Sequence, residues 1–350
     1  MVNALRTALP ALMLAACAHA APAPFSPHVG YLYPAGGRQG ATFEIMAGGQ
    51  FLRGVNSVHI TGEGVQAKVV QHAGPLNNEQ RIEARRYIAM LIRNKLAGMP
   101  GASARMPRET HELLRRLENP GPTATNLPPP KLPRHPTLRN IDGKSLPELR
   151  RIAVELSGPN RNPQGRMQIS DLVVLEITVA PDAPPGMREL RLGTPAGMTN
   201  PLRFDVGLLP EVLEQEPNER ISLLVPSARD DRRAARQARP PDPLLDAMLP
   251  MPPPVQLPAT INGQIMPGDT DCFTFHARKG QQLVMDAQAR RLRPYLADAV
   301  PGWFQATLAL YDTNGNEMAF TDDYRLQPDP VMLFNVPADG EYRIEIRDAI

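Results

Sequence analysis

"GDTDCFTFHARKG" (residues 268–280) and "GEYRIEIRD" (residues 340–348) both place apolar side chains at every second position. In the first, Phe273, Phe275 and Ala277 fall on one side of an extended chain and Cys272, Thr274 and His276 on the other. A half-buried strand shows this period of two. In the second, Tyr342, Ile344 and Ile346 form the inward row. The first stretch also packs two aspartates, a cysteine and a histidine into a short span, so a metal cluster is the rival reading. Four residues apart on a strand, Cys272 and His276 are too distant to chelate one transition-metal ion without a bend. The stretch therefore reads as a turn, with Asp269 and Asp271 accepting main-chain N–H groups, followed by a strand.

The same signal spreads outward. "QLVMDAQA" (282–289) aligns Leu283, Met285 and Ala287, and "LALYDTNGNEMAF" (308–320) reads as a hairpin with a type I′ turn at Asn314-Gly315. Nearer the N-terminus, "TFEIMAGGQFL" (42–52) and "SVHITGEGVQAKVVQ" (57–71) predict short strands broken by glycine pairs. "LVVLEITVAP" (172–181), "MRELRLGTPAG" (187–197) and "LRFDVG" (202–207) are strands again, with Thr178, Arg188 and Arg191 facing solvent.

Between these two β regions the period changes. Residues 77–98 form a helix that Asn78 can cap, with Glu79 near its positive end, Gly98 as its stop and an apolar face of Ala84, Ile88, Leu91 and Ile92. A second helix is expected at 107–120, and a third at 145–156, where Ser145 and Glu148 have capping-box spacing. The helices read as an insertion, so strands before residue 72 and after 171 complete one sandwich. Residues 227–258 are rich in Pro, Arg and Asp, a composition that reads as a loop.

The 350 residues suffice for two or three domains, and the 40 prolines exclude a mostly helical chain. A net charge of +2, from 38 basic and 36 acidic residues, makes no case for nucleic acid. Arg6 precedes an apolar run, Ala8 to Ala18, that is too short to span a bilayer, and "AHA" (18–20) has the small-x-small form of a cleavage site. Residues 1–20 are therefore expected to be a signal peptide. A second route stays open, because "LAAC" (14–17) resembles a bacterial lipobox, which would make Cys17 a lipid anchor. On either route the chain is exported, to the periplasm, cell surface or medium. Cys272 then keeps no intramolecular disulfide partner, and no later segment is apolar enough to span a membrane.

"YPAGGRQGATFEIMAGGQFL…V…ITGEGVQAKVV" and "LEITVAPDAPPGMRELRLGTPAGMTNPLRFDV" together resemble a TIG-type immunoglobulin-like domain. "EPNE" (216–219), "LPATINGQIMPGDTDCFTFHARKGQQL", "LALYDTNGNE", "TDDY" and "PADGEYRIEIRD" resemble the bacterial pre-peptidase C-terminal domain, a sandwich of jelly-roll type. This order of modules is similar to that of large exported proteins of planctomycete-type bacteria. The implied organisation is an immunoglobulin-like domain at 28–207 with a helical insertion at 75–165, then a sandwich at 208–350. A further closing strand is expected past Ile350. The second resemblance also implies calcium, with Glu216, Asn218, Asp269 and Asp271 as one candidate ligand set and Asp322 and Asp323 as a second acidic loop. Such hard oxygen donors suit calcium.

Other motifs fail on their spacing. "HELLR" (111–115) has Arg115 where a zinc helix needs its second histidine, and "IDGKS" has Leu138 where a phosphate loop needs glycine. "DTNGNE" misplaces the glycine of a calcium loop, and no GxSxG is present. Over residues 79–151, 15 Lys/Arg stand against 7 Asp/Glu, a net of +8. That face reads either as an ordinary solvated helix surface or as a surface for an anionic polymer or headgroup. Tyr295, Trp303 and Phe304 are candidate contact residues. These features imply a mainly β, exported, non-catalytic binding or scaffolding protein of the cell envelope, whose partner is an envelope or extracellular protein or polysaccharide. The alternative is an accessory region of an exported peptidase or hydrolase whose catalytic domain lies outside this chain.

Overall fold

The computed structural model describes residues 26–97, 114, 130–144, 146–157, 170–215, 252–265, 270–292 and 305–349. Two sheets make the first β unit. One runs in the order β1 (His28–Tyr33), β3 (Thr42–Gln50), β6 (Asp171–Val179), β5 (Val65–Ala73). The other runs β2 (Gly36–Arg38), β9 (Leu202–Gly207), β7 (Gly186–Thr194), β4 (Ser57–Ile60), with β8 (Gly197–Met198) on β7. Ile45, Val173, Leu175, Leu190 and Phe204 fill the space between the sheets, and the rings of Phe43 and Phe204 stack at 6.4 Å. Chain ends far apart in sequence pair in register, Ala73 opposite Leu172 and Val65 opposite Val179. The helices thus lie in sequence between two strands, β5 and β6, that pair with each other.

The insertion has its own core. Helix α1 (Asn78–Ala97) and helix α2 (Leu146–Ser157) bury Ala84, Ile88 and Ile92 against Leu149 and Ala153. Leu91 is only partly buried, while Ala89 and Leu96 complete the face. The predicted helix at 107–120 lies outside the described residues except for Leu114, which is helical and buried in this cluster. Also outside them are the leader with Cys17, residues 227–251 of the expected Pro-rich loop, and the turn at 266–269.

The second β unit stacks a four-stranded sheet on a two-stranded one. The first has the order β12 (Thr270–Ala277), β17 (Gly340–Asp348), β14 (Ala306–Tyr311), β15 (Glu317–Thr321); the second pairs β13 (Gln282–Asp286) with β16 (Val331–Asn335). Phe275, Leu283, Leu310, Met332 and Tyr342 form the core, with Tyr342 between the rings of Phe275 and Phe334. Between the two β units, β10 (Glu211–Leu213) and β11 (Thr260–Asn262) form a short parallel pair that bridges a long stretch of sequence.

Three local expectations need correction. The pair Gly48-Gly49 does not break its strand, because β3 continues through it to Gln50. A Cβ on Gly48 would overlap the Tyr31 ring, and one on Gly49 the main chain of His28, so the glycines make room for the neighbouring strand β1. The hairpin at Asn314-Gly315 is not type I′. Gly315 has φ +80°, but Asn314 does not join the left-handed region. Asp312 organises a five-residue loop instead. Its carboxylate accepts the N–H groups of Asn314 and Asn316 at 2.9 and 2.8 Å, and the register shifts by one between Leu310 and Tyr311. Asp271, expected in a turn, lies inside β12 opposite Ile346.

Candidate functional site

The inward row of β12 ends at Asp271, which is 1% exposed. It is no solvated turn carboxylate. Gly263, just after β11, leaves the room it needs: a Cβ there would lie 3.0 Å from Asp271 Oδ2 and 2.5 Å from Glu214 Oε2. Glu214 in turn accepts the Gln264 N–H at 2.7 Å. Glu211, on the same parallel pair, accepts from Asn262 Nδ2 at 2.6 Å. Burial raises the Glu211 carboxyl above the usual range, and the Asn262 bond opposes that rise. The structure thus brings Asp271 beside Glu214, a residue the sequence does not single out. Glu216, Asn218 and Asp269 lie outside the described residues.

Asp322 and Asp323 are exposed just past β15. The register chain Thr321–Leu308–Ile346–Asp271 puts them across the full width of the sheet from Asp271. Three strand spacings amount to about 14 Å, so one ion cannot bind both. Among the described residues, no group of three His, Cys, Asp or Glu side chains converges in the way metal ligands do.

The outward row of the same sheet contradicts the plain alternation. His276 is exposed, but Cys272 is buried, and so are Arg343 and Glu345 (6% and 2% exposed). Glu345 sits between two guanidinium groups, with Arg343 Nη2 at 3.2 Å and Arg347 Nη2 at 2.7 Å. Arg343 also lies over the Tyr311 ring at 4.5 Å. The 3.2 Å contact is an ion pair without hydrogen-bond alignment, and Arg343 Nε and Nη2 make no hydrogen bond among the described residues. Periodicity cannot reveal such a buried row, because charged outward residues look identical whether water or protein covers them.

Where the insertion meets the sandwich, histidine and aspartate fix the main chain. His135 Nε2 lies 3.1 Å from the Gly74 carbonyl oxygen, which can only accept, so that nitrogen carries the proton. Nδ1 then accepts from Thr137 Oγ1 at 2.7 Å. Burial holds the imidazole below its ordinary pKa, outweighing the bond to Gly74. Asp171 accepts the Leu52 N–H at 2.8 Å, with His72 Nε2 3.7 Å away. Several basic residues of the insertion are also engaged. Arg86 meets Glu83, Lys144 meets Glu148, Arg139 meets Glu44 of β3, and Arg81 donates to the Leu156 carbonyl.

Tyr295, Trp303 and Phe304 lie outside the described residues. The chain leading towards them is anchored by Asp329, which accepts the Arg290 and Arg291 N–H groups at 2.6 and 2.8 Å. A groove of about 460 Å³ opens between β4 and β5, lined by Val58, His59, Ile60, Val65, Gln66 and Ala67.

No family model matches the chain. One stretch of 80 residues is 35% identical to a protein of Deinococcus radiodurans described as "Probable subtilase-type serine protease". That stretch is 23% of this chain and 10% of the other protein, so the chain is similar to a small part of a much longer protein.

Proposed function

We propose that this chain is a non-catalytic binding region of an exported protein, built as an immunoglobulin-like sandwich followed by a sandwich of the pre-peptidase C-terminal type. The observation that carries this reading is how several buried and half-buried ionisable side chains are used. Asp171, Asp329 and His135 hold main-chain groups, and Glu345 holds two arginines. Each is engaged in keeping loops and strands in place, which suits a scaffold. The partner is an envelope or extracellular protein or polysaccharide. A purified sample of residues 21–350 is expected to retain unfolded casein on a column without releasing fragments from it. Cleavage by a preparation free of contaminating protease would overturn the reading.

A second reading is favoured by the similarity to a subtilase-type protease: the chain is an accessory region that presents substrate to an exported peptidase. It predicts a subtilase domain in the same reading frame or in an adjacent gene. A locus without one counts against it. Calcium belongs to this proposal at the Asp271 end, where Glu216, Asn218 and Asp269 would add oxygen donors. The expected result is a higher melting temperature in millimolar calcium than in chelator. Equal melting temperatures remove the ion.

A further inference from the structure

The two-stranded sheet of the second unit carries a surface that its core does not explain. Val284 on β13 and Leu333 on β16 are directly opposite one another and each is 68% exposed. The ladder's phase follows from two bonds, Ala287 N–H to the Pro330 carbonyl and Val336 N–H to the Gln281 carbonyl. In an antiparallel pair the groups facing the partner alternate along the strand. Met332 and Phe334 therefore turn their main-chain groups towards β13, while Val331, Leu333 and Asn335 turn theirs outward. Among the described residues no strand pairs with that outer edge.

Exposed edges are normally blunted, and three of the other described edges carry such a device. On β5, Lys68 faces out and the register shifts between Val69 and Gln71. On β1, the Asn200 side chain bonds both the N–H and the C=O of Val29. On β12, the Val255 N–H reaches the Thr274 carbonyl. By contrast, β16 (VMLFN) has no charge, no internal proline and no bulge. Pro330 and Pro337 close the reading window at either end.

We propose that the outer edge of β16 takes up an extended polypeptide segment by strand addition, and that the segment carries an uncharged, apolar side chain where it meets Leu333. This deepens the proposed function and rests on it, since it names the class of partner. The backbone of the added strand pairs with Val331, Leu333 and Asn335, while the apolar row Val284–Leu333 selects its side chain. An anionic or cationic segment is disfavoured, because the edge offers no counter-charge. A five-residue edge buries too little surface for a stable dimer of this chain, which favours a peptide over a second copy.

The probe is a fluorescein-labelled synthetic peptide of alternating valine and threonine with a lysine at each end, titrated against purified residues 21–350. Binding is expected to weaken about tenfold or more, the equivalent of about 1.4 kcal/mol, when alternate peptide amides are N-methylated and again in Leu333→Lys. Val70→Lys, on the first unit, should leave binding unchanged. Absence of binding, or binding indifferent to both N-methylation and Leu333→Lys, overturns the assignment of this edge while casein retention keeps the broader reading intact. Light scattering that shows a concentration-dependent dimer, abolished by Leu333→Lys, overturns it in favour of a second copy. Cleavage of the probe would overturn the non-catalytic reading itself.

Discussion

Glu345 shows how far the energetics of one side chain depend on its neighbours. It is almost fully buried, and its charge is tolerated because Arg343 and Arg347 flank it. Removing one member of a buried group leaves uncompensated charge, which typically costs about 3–5 kcal/mol. Glu345→Ala is therefore expected to lower the denaturant midpoint of the second unit markedly, as read by urea unfolding. A surface carboxylate such as Asp322 should show almost no effect. His135 gives the corresponding pH dependence. Its folded pKa lies below the ordinary imidazole value because burial desolvates the ring, which outweighs the bond to Gly74. The unfolded chain therefore binds the proton more readily. The stability contributed by His135 is complete above the ordinary value and is lost as pH falls through it towards the depressed one. Thermal melts at pH 7.5 and 5 should show a drop in the native chain that is smaller in His135→Gln, which keeps a donor for Gly74 but cannot protonate. Equal drops would place the acid sensitivity elsewhere.

At the scale of the element, strand periodicity and helix spacing were legible because each element buries one face. Phe275, Ala277 and Tyr342 lie inward as a period of two requires, and Ala84, Ile88 and Ile92 as a helical one does. The misread features were set by neighbours distant in sequence. Gly48 and Gly49 look like strand breakers, yet they accommodate Tyr31 and the main chain of β1. Substituting Gly49 with valine is expected to cost about 1–3 kcal/mol through overpacking, despite valine's better strand propensity. A stabilising effect in denaturant melts would show that β1 can move away. Asn314-Gly315 misled in the opposite way, because the local signal was real but the Asp312 carboxylate outcompeted it. The candidate site was less legible still. The Asp271–Glu214 approach depends on the parallel pairing of β10 with β11, and the outer edge of β16 on which described strands pair, and neither leaves a mark in local sequence.

At the scale of the whole molecule, the buried apolar residues among those described form three clusters, one in each β unit and one in the insertion. Among the described residues, the polar contacts between the insertion and its host include the Arg139–Glu44 ion pair and the His135–Gly74 bond. A surface ion pair contributes about 0–1 kcal/mol and a hydrogen bond about 0.5–1.5 kcal/mol, less than one well-filled core position. Cooperativity within a cluster should therefore exceed cooperativity between clusters, and the chain should open in parts. Ile88 is fully buried in the insertion, and Leu310 in the second unit. Truncating either to alanine should cost about 2–5 kcal/mol in its own cluster. Hydrogen exchange resolves the consequence. Ile88→Ala is expected to speed exchange throughout α1 and α2 while amides in β14 and β17 keep their native rates, and Leu310→Ala should do the reverse. If either substitution accelerates all three clusters together, the contacts at Glu44 and Gly74 couple the units more strongly than their chemistry suggests. The insertion would then be a structural part of the sandwich and not an appendage free to vary around it.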